Sequence, residues 1–336
     1  MASSPDVIVI GAGVLGLCAA AELAARGHAV TVIDPGAPNA SSIAAGMIAP
    51  ALESLLEGAP AEGAALLKRA RDLWPAFAGA HGLTLLREGA DWRGPDAAAA
   101  LATLQALGFA ASPTADGLTT PDDWRIEIGP ALKALGRTPG VSLVRGQVAR
   151  LAGDARRWRV EATDGRVWFS PTVVLATGAG SPLAGLPDRI ASLVASITPI
   201  RGQLTFVPTA APPRVIRGPG VYVAPCESGV VIGATMEPGR RDLQPDPVEA
   251  ARQVAAGLAL LGVAAEPGAT RVGVRGATAD GLPLAGASGE PGLHLALAPR
   301  RNGWLMGPLV GRITADGIEG RAPVADAAAL DPLRFG

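Results

Sequence analysis

The chain has only two cysteines, Cys18 and Cys226, and three histidines, His28, His81 and His294, all widely separated. No CxxC pair or Cys/His spacing connects them, which argues against a disulfide framework and against any metal site. Two reduced thiols in a cytoplasmic protein are expected, with Cys18 as small core packing. Lysine is nearly absent: Lys68 and Lys133 stand against 27 arginines, so no arginine is notable for its identity alone. Excess charge is lacking too, with 29 basic and 30 acidic residues for a net charge of −1. A nucleic-acid or anionic-membrane surface needs a basic stripe, so neither partner is expected. Tyrosine occurs once, as Tyr222.

An uninterrupted run of membrane length is also missing. Val7 to Ala25 comes nearest, but Gly11, Gly13, Gly16 and Glu22 punctuate it, and no Lys or Arg precedes Arg26. A strand, a glycine turn and a helix explain this stretch better, and a soluble, untargeted chain is expected. What is present is enough material for about two domains: 336 residues, 49% of them apolar. Glycine and proline, 44 and 30, stay below the range of low-complexity chains.

Val7-Ile8-Val9-Ile10 reads as a parallel strand buried on both faces. A helix follows to about Arg26, then a second strand over Ala29–Ile33, closed by Asp34-Pro35-Gly36. Between Leu52 and Gly108 the pattern is mostly helical, with Leu66, Leu67, Leu73 and Phe77 on roughly one face and a short strand at Leu83–Leu86. From Val141 the period changes to strands: 141–145, 148–151, 158–161, 167–169 and 173–175, the last ending at Thr177-Gly178. Further strands are expected at 204–207, 221–224, 230–232, 271–275 and 293–297. Helices are expected at about 246–261 and from Arg301-Asn302-Gly303 to about Ile318.

Gly11-x-Gly13-x-x-Gly16 lies between a strand and a helix, the context a dinucleotide fingerprint requires. Gly11 permits the tight turn, Gly13 lets backbone approach a pyrophosphate, and Gly16 lets helix and strand pack closely. Val14 and Leu15 open the helix, whose N-terminus offers free N–H groups to phosphate. Asp34 ends the second strand where it can accept hydrogen bonds from an adenosine ribose. A carboxylate there also disfavours a 2′-phosphate, making NADP the poorest candidate. The loop alone does not separate FAD from NAD.

Three further segments carry a resemblance. They are Ser41-Ser42-Ile43-Ala44-Ala45-Gly46-Met47, the run from Val272 through Arg275, Gly276 and Thr278-Ala279-Asp280-Gly281-Leu282-Pro283 to Gly286, and Arg301-Asn302-Gly303. Together they resemble the D-amino-acid-oxidase superfamily of FAD-dependent oxidoreductases. Tyr222-Val223-Ala224-Pro225 and Val231 to Gly239 are most similar to its glycine oxidase branch, which serves thiamine biosynthesis. The likeness is weak between about Leu52 and Gly117, where the chain is shorter.

The resemblance implies an α/β fold: a Rossmann-like FAD-binding domain (1–52, 137–188 and 271–336) interleaved with an α+β substrate domain built on a β-sheet (53–136 and 189–270). FAD is the implied cofactor. The implied reaction is oxidative deamination of a small amino acid, with hydride passing from Cα to the flavin, imine hydrolysis, and O₂ giving hydrogen peroxide. Sarcosine, a D-amino acid or a dehydrogenase acceptor are alternatives, and a non-catalytic flavin-fold binding protein is the rival of another class. A small amine substrate and O₂ are the expected partners, with self-association left open.

Carried over by position, Arg275 is the arginine that grips the substrate carboxylate, since a guanidinium fork pairs with a carboxylate bidentately. Tyr222 is the substrate-facing phenol, Arg301 the arginine on the flavin's substrate side, with Arg300 beside it, and Met236 a pocket methionine. Pro35, Val148, Thr177 and Gly178 match positions near the adenosine end and beneath the cofactor. Asn302, Gly303, Trp304 and Leu305 begin the helix aimed at the flavin's pyrimidine ring, where a helix N-terminus stabilises negative charge. Ala298-Pro299-Arg300 and Gly276 depart from the family pattern, and proline there removes an N–H.

Overall fold

The computed structural model describes residues 5–153, 157–180 and 182–335. Its first sheet has six strands in the order Leu284–Ala287, Leu293–Leu297, Thr172–Leu175, Val7–Ile10, Val30–Asp34 and Val141–Arg145. All pair in parallel except the Leu284–Ala287 edge. All four residues of Val7–Ile10 are buried, as a strand covered on both faces requires. Each such aliphatic side chain removed from water contributes roughly 1.5–3 kcal/mol.

Helix Val14–Ala25 lies against this sheet and against the terminal helix Gly303–Ile318. Small residues let the two helices touch: a Cβ on Gly307 would stand 2.9 Å from Cys18 Sγ, and one on Gly311 2.9 Å from the Cys18 backbone. Pro308, inside the terminal helix, cannot donate to the Trp304 carbonyl. The fully buried indole of Trp74 takes over that duty, its Nε1 lying 3.1 Å from Trp304 O and 3.2 Å from Leu305 O.

A second, nine-stranded sheet is mostly antiparallel and contains Thr198–Val207, Val215–Gly218, Val221–Cys226, Gly229–Gly233 and Thr270–Ala277. Residues 198–205 of Thr198–Val207 pair with the whole of Thr270–Ala277, setting Arg275 opposite Ile200. The region read as mostly helical, 52–108, also holds a short strand at Ala90–Trp92, and unread short strands follow it at Ser112–Thr114, Gly117–Thr120 and Trp124–Ile126. Three or four residues carry too few alternations to be read as strands. The apolar face over 66–77 is divided between helices Ala61–Asp72 and Trp74–Ala80, with Pro75 in the first turn of the second. Among the described residues no helix is long and apolar enough to cross a membrane.

Candidate active site

At the end of Val7–Ile10 the chain turns with Gly11 at φ +111°. A Cβ there would lie 2.3 Å from Ala176 O, and one on Gly16 would lie 2.1 Å from Gly11 O, so both positions demand glycine. No acidic side chain stands in the first turn of Val14–Ala25, so the positive end of its dipole is open to an anion. Asp34 is oriented by two backbone donors, Ala12 N at 2.8 Å on Oδ2 and Gly36 N at 2.7 Å on Oδ1. A carboxylate has about four acceptor positions, leaving room for a ribose diol.

Gly11, Gly13, Asp34, Pro35, Ser41, Val148, Thr177 and Gly178 line one cavity of about 660 Å³. Gly13, Ser41 and Gly178 also border a slot walled by Val14, Leu15, Arg300, Gly303 and Trp304. That slot shares Ala44, Arg275, Arg301 and Trp304 with a third cavity of about 220 Å³. The three form one trough from the glycine turn to Tyr222. Ser41 sits at its middle, its Oγ accepting from Val14 N at 3.0 Å and its carbonyl from Trp304 Nε1 at 3.2 Å. An extended dinucleotide with a flat ring at one end suits this shape: phosphate at a helix N-terminus, ribose at Asp34, ring in the slot.

Other positions singled out in the sequence lie elsewhere. Ala45, Gly46, Met47 and Asn302 border the 220 Å³ cavity rather than the adenosine end. Ser42 faces none of the three, because its hydroxyl closes a capping box with Asn39. Leu305 is buried in the helix core, and Gly16 serves strand–helix contact.

In the third cavity Arg275, Tyr222, Met236 and Arg301 meet. The Arg275 Nη1 lies 3.2 Å from Thr235 O and 3.4 Å from Met236 Sδ, and no carboxylate among the described residues pairs with it. Burial lowers its pKa from the ordinary arginine value, partly offset by Tyr222. Gly202 makes room for it, since a Cβ there would stand 2.3 Å from Nη1. Burial also raises the Tyr222 pKa, so the phenol stays protonated at neutral pH.

Sequence reasoning missed two charged groups in this wall, Glu53 and Arg217. Glu53 Oε1 meets Arg217 Nη1 at 2.7 Å, and its Oε2 lies 3.0 Å from Arg301 Nε. Burial opposes ionisation of Glu53, but Arg217, Arg301 and Arg300 outweigh it and hold the carboxyl below its usual range. Glu57, one turn further on, takes Arg301 Nη1 at 2.6 Å and also pairs with Arg300. The available signals were an i,i+4 acidic pair in an apolar helix and an arginine inside the run Val215 to Val223.

The glycine turn, the oriented acid and a trough ending at an unpaired guanidinium define a dinucleotide-dependent oxidoreductase. The FAD dependent oxidoreductase (DAO) family matches residues 6–317, and the chain belongs to that family, with FAD as its cofactor. Glycine oxidase of Geobacillus kaustophilus is 31% identical, with 98% of this chain and 97% of the relative aligned. A solved glycine oxidase structure from that organism superposes with a TM-score of 0.81 at 25% identity, covering 98% of both chains. The tRNA 5-methylaminomethyl-2-thiouridine biosynthesis bifunctional protein of Chromohalobacter salexigens is 31% identical over 83% of this chain, which spans 45% of that relative's length.

Proposed function

We infer that the chain oxidises a small amino acid, glycine first, at its Cα–N bond, and the observation that carries this is Arg275. Bound FAD supplies the acceptor for the hydride that leaves Cα. Residues 1–52, 137–188 and 271–336 hold it in this reading, and 53–136 with 189–270 form the substrate side. Overall, amino acid, O₂ and water become 2-oxo acid, ammonia and hydrogen peroxide.

Arg275 receives the substrate carboxylate, because it is the cavity's guanidinium without an acidic partner among the described residues. Tyr222, kept neutral by burial, donates a second hydrogen bond to that carboxylate. Arg301, neutralised by Glu53 and Glu57, bounds the cavity without competing for the anion. No general base is required: the amine enters uncharged and the reaction depends on orientation of Cα–H.

Sarcosine and a small D-amino acid are the alternative substrates in this reading. The thiazole branch of thiamine biosynthesis and a cytoplasmic location are the setting the resemblance suggests. Oxygen consumption with peroxide formation tests the reading. Turnover with glycine, sarcosine or D-alanine is expected, and FAD-loaded protein inert toward all three would overturn it.

A further inference from the structure

The Pro50–Glu57 helix carries both carboxylates that hold Arg301, yet its own N-cap residue, Ala49, supplies no side-chain cap. The cap comes from far along the chain. Asp123, 1% exposed, accepts Ala51 N on Oδ1 at 2.7 Å and Leu52 N on Oδ2 at 3.0 Å. These are the first two amides of a helix that begins with proline. The next residue is Glu53, wedged between Arg217 and Arg301. Its Oε2 is buried and has no aligned hydrogen bond among the described residues despite the nearby Arg301 Nε.

We propose that Asp123 is a positioning residue for the substrate cavity, acting through this helix and Glu53. The proposal rests on the reading that Arg275 receives the substrate carboxylate, with Arg301 held on the cavity wall beside it. Two amides on one carboxylate fix the height and rotation of a two-turn helix. Glu53 and Glu57 then have one location each, and so does the Arg301 fork. The charged groups facing Asp123 are Arg217 from the Val215–Gly218 strand and Glu53 from the helix, while neighbouring Asp122 is held by Arg71. Burial pushes the Asp123 carboxyl up to about 7, against the pull of the Leu52 and Ala51 amides and Arg217, so its charge changes near neutrality.

The test uses FAD-loaded protein and glycolate, a substrate-shaped carboxylate without the amine, with binding read from the flavin spectrum between pH 5.5 and 8.5. Wild-type Kd is expected to rise about tenfold toward the acid end as Asp123 takes up a proton. Asp123→Asn should bind glycolate about tenfold more weakly at pH 8, with that pH dependence removed and flavin content unchanged. Glu53→Gln should do the same, and the double variant should be no weaker than Glu53→Gln alone, because both act on one element. Multiplying effects, or an unchanged Kd and pH profile in Asp123→Asn, would overturn the proposal. If Asp123→Asn gives no loaded protein, a flat wild-type profile, or an acid limb that persists in Glu53→Gln, overturns it equally. Arg275→Ala separates the two readings. Glycolate that fails to bind wild type removes both, whereas binding that needs Arg275 but ignores Asp123 removes only this one.

Discussion

Arg275 reaches the cavity because position 202 has no side chain, and that gives a sharp test at the scale of single residues. Gly202→Ala would place a methyl 2.3 Å from Nη1, so the guanidinium must move. KM is expected to rise about tenfold while FAD content stays constant. Arg275→Ala should lower kcat/KM by at least ~10²-fold, the usual cost of removing a charged partner from a buried carboxylate, again without loss of flavin. Steady-state kinetics on FAD-loaded variants check both. Arg275, Tyr222 and Met236 were legible because they lie in recognisable strings. Glu53 and Arg217 were not, since the resemblance is weak around Glu53 and a buried charge inside an apolar run has no pattern of its own. Ser42 shows the opposite case: its place in a motif drew notice, while Asn39 three residues earlier directs its hydroxyl into a cap.

Among elements, the fingerprint strand, turn and helix followed the sequence closely, because four apolar residues, three glycines and an acid constrain one geometry. The second strand runs Val30–Asp34, one residue later than read, which puts Asp34 inside it. The strand expected at Leu83–Leu86 is present as Leu85–Leu86, while those between 90 and 126 escaped notice because each is only three or four residues long. The strand expected at 204–207 extends back to Thr198, since Thr270–Ala277 pairs with it from outside the local pattern. The terminal helix was read to its last residue, but what completes it was not. Trp74 substitutes for the donor that Pro308 lacks, so Trp74→Phe keeps most of the ring volume and leaves the Trp304 carbonyl without its indole donor. A loss of about 1–3 kcal/mol is expected, measured as a lower urea midpoint with unchanged slope. Unchanged stability would show that water replaces the indole.

For the whole molecule, His294 links stability to pH. It lies on the Leu293–Leu297 strand under the terminal helix, its Nδ1 buried without a hydrogen-bond partner among the described residues. Burial depresses its pKa from 6.5 to about 4, despite a hydrogen bond to the Gly317 backbone carbonyl that raises it. Below 6.5 the unfolded chain binds a proton that the folded chain refuses. This contribution is therefore present above pH 6.5 and is lost as pH falls toward 4, at about 1.4 kcal/mol per unit. Between pH 7 and 5, His294→Leu should lose about 2 kcal/mol less stability than wild type in urea titrations. At this scale the α/β fold and the cofactor were legible from both ends of the chain. How the middle region closes the cavity was not, because that depends on Asp123, Glu53 and Arg217 meeting across three distant segments.

The central claim is that FAD in this trough accepts electrons from an amino acid held by Arg275. Anaerobic addition of glycine to the yellow purified protein, followed by its visible spectrum, tests this most directly. The flavin bands should bleach in wild type and persist in Arg275→Ala. A wild-type flavin that stays oxidised with glycine, sarcosine and D-alanine alike, or that Arg275→Ala reduces equally well, would contradict the account.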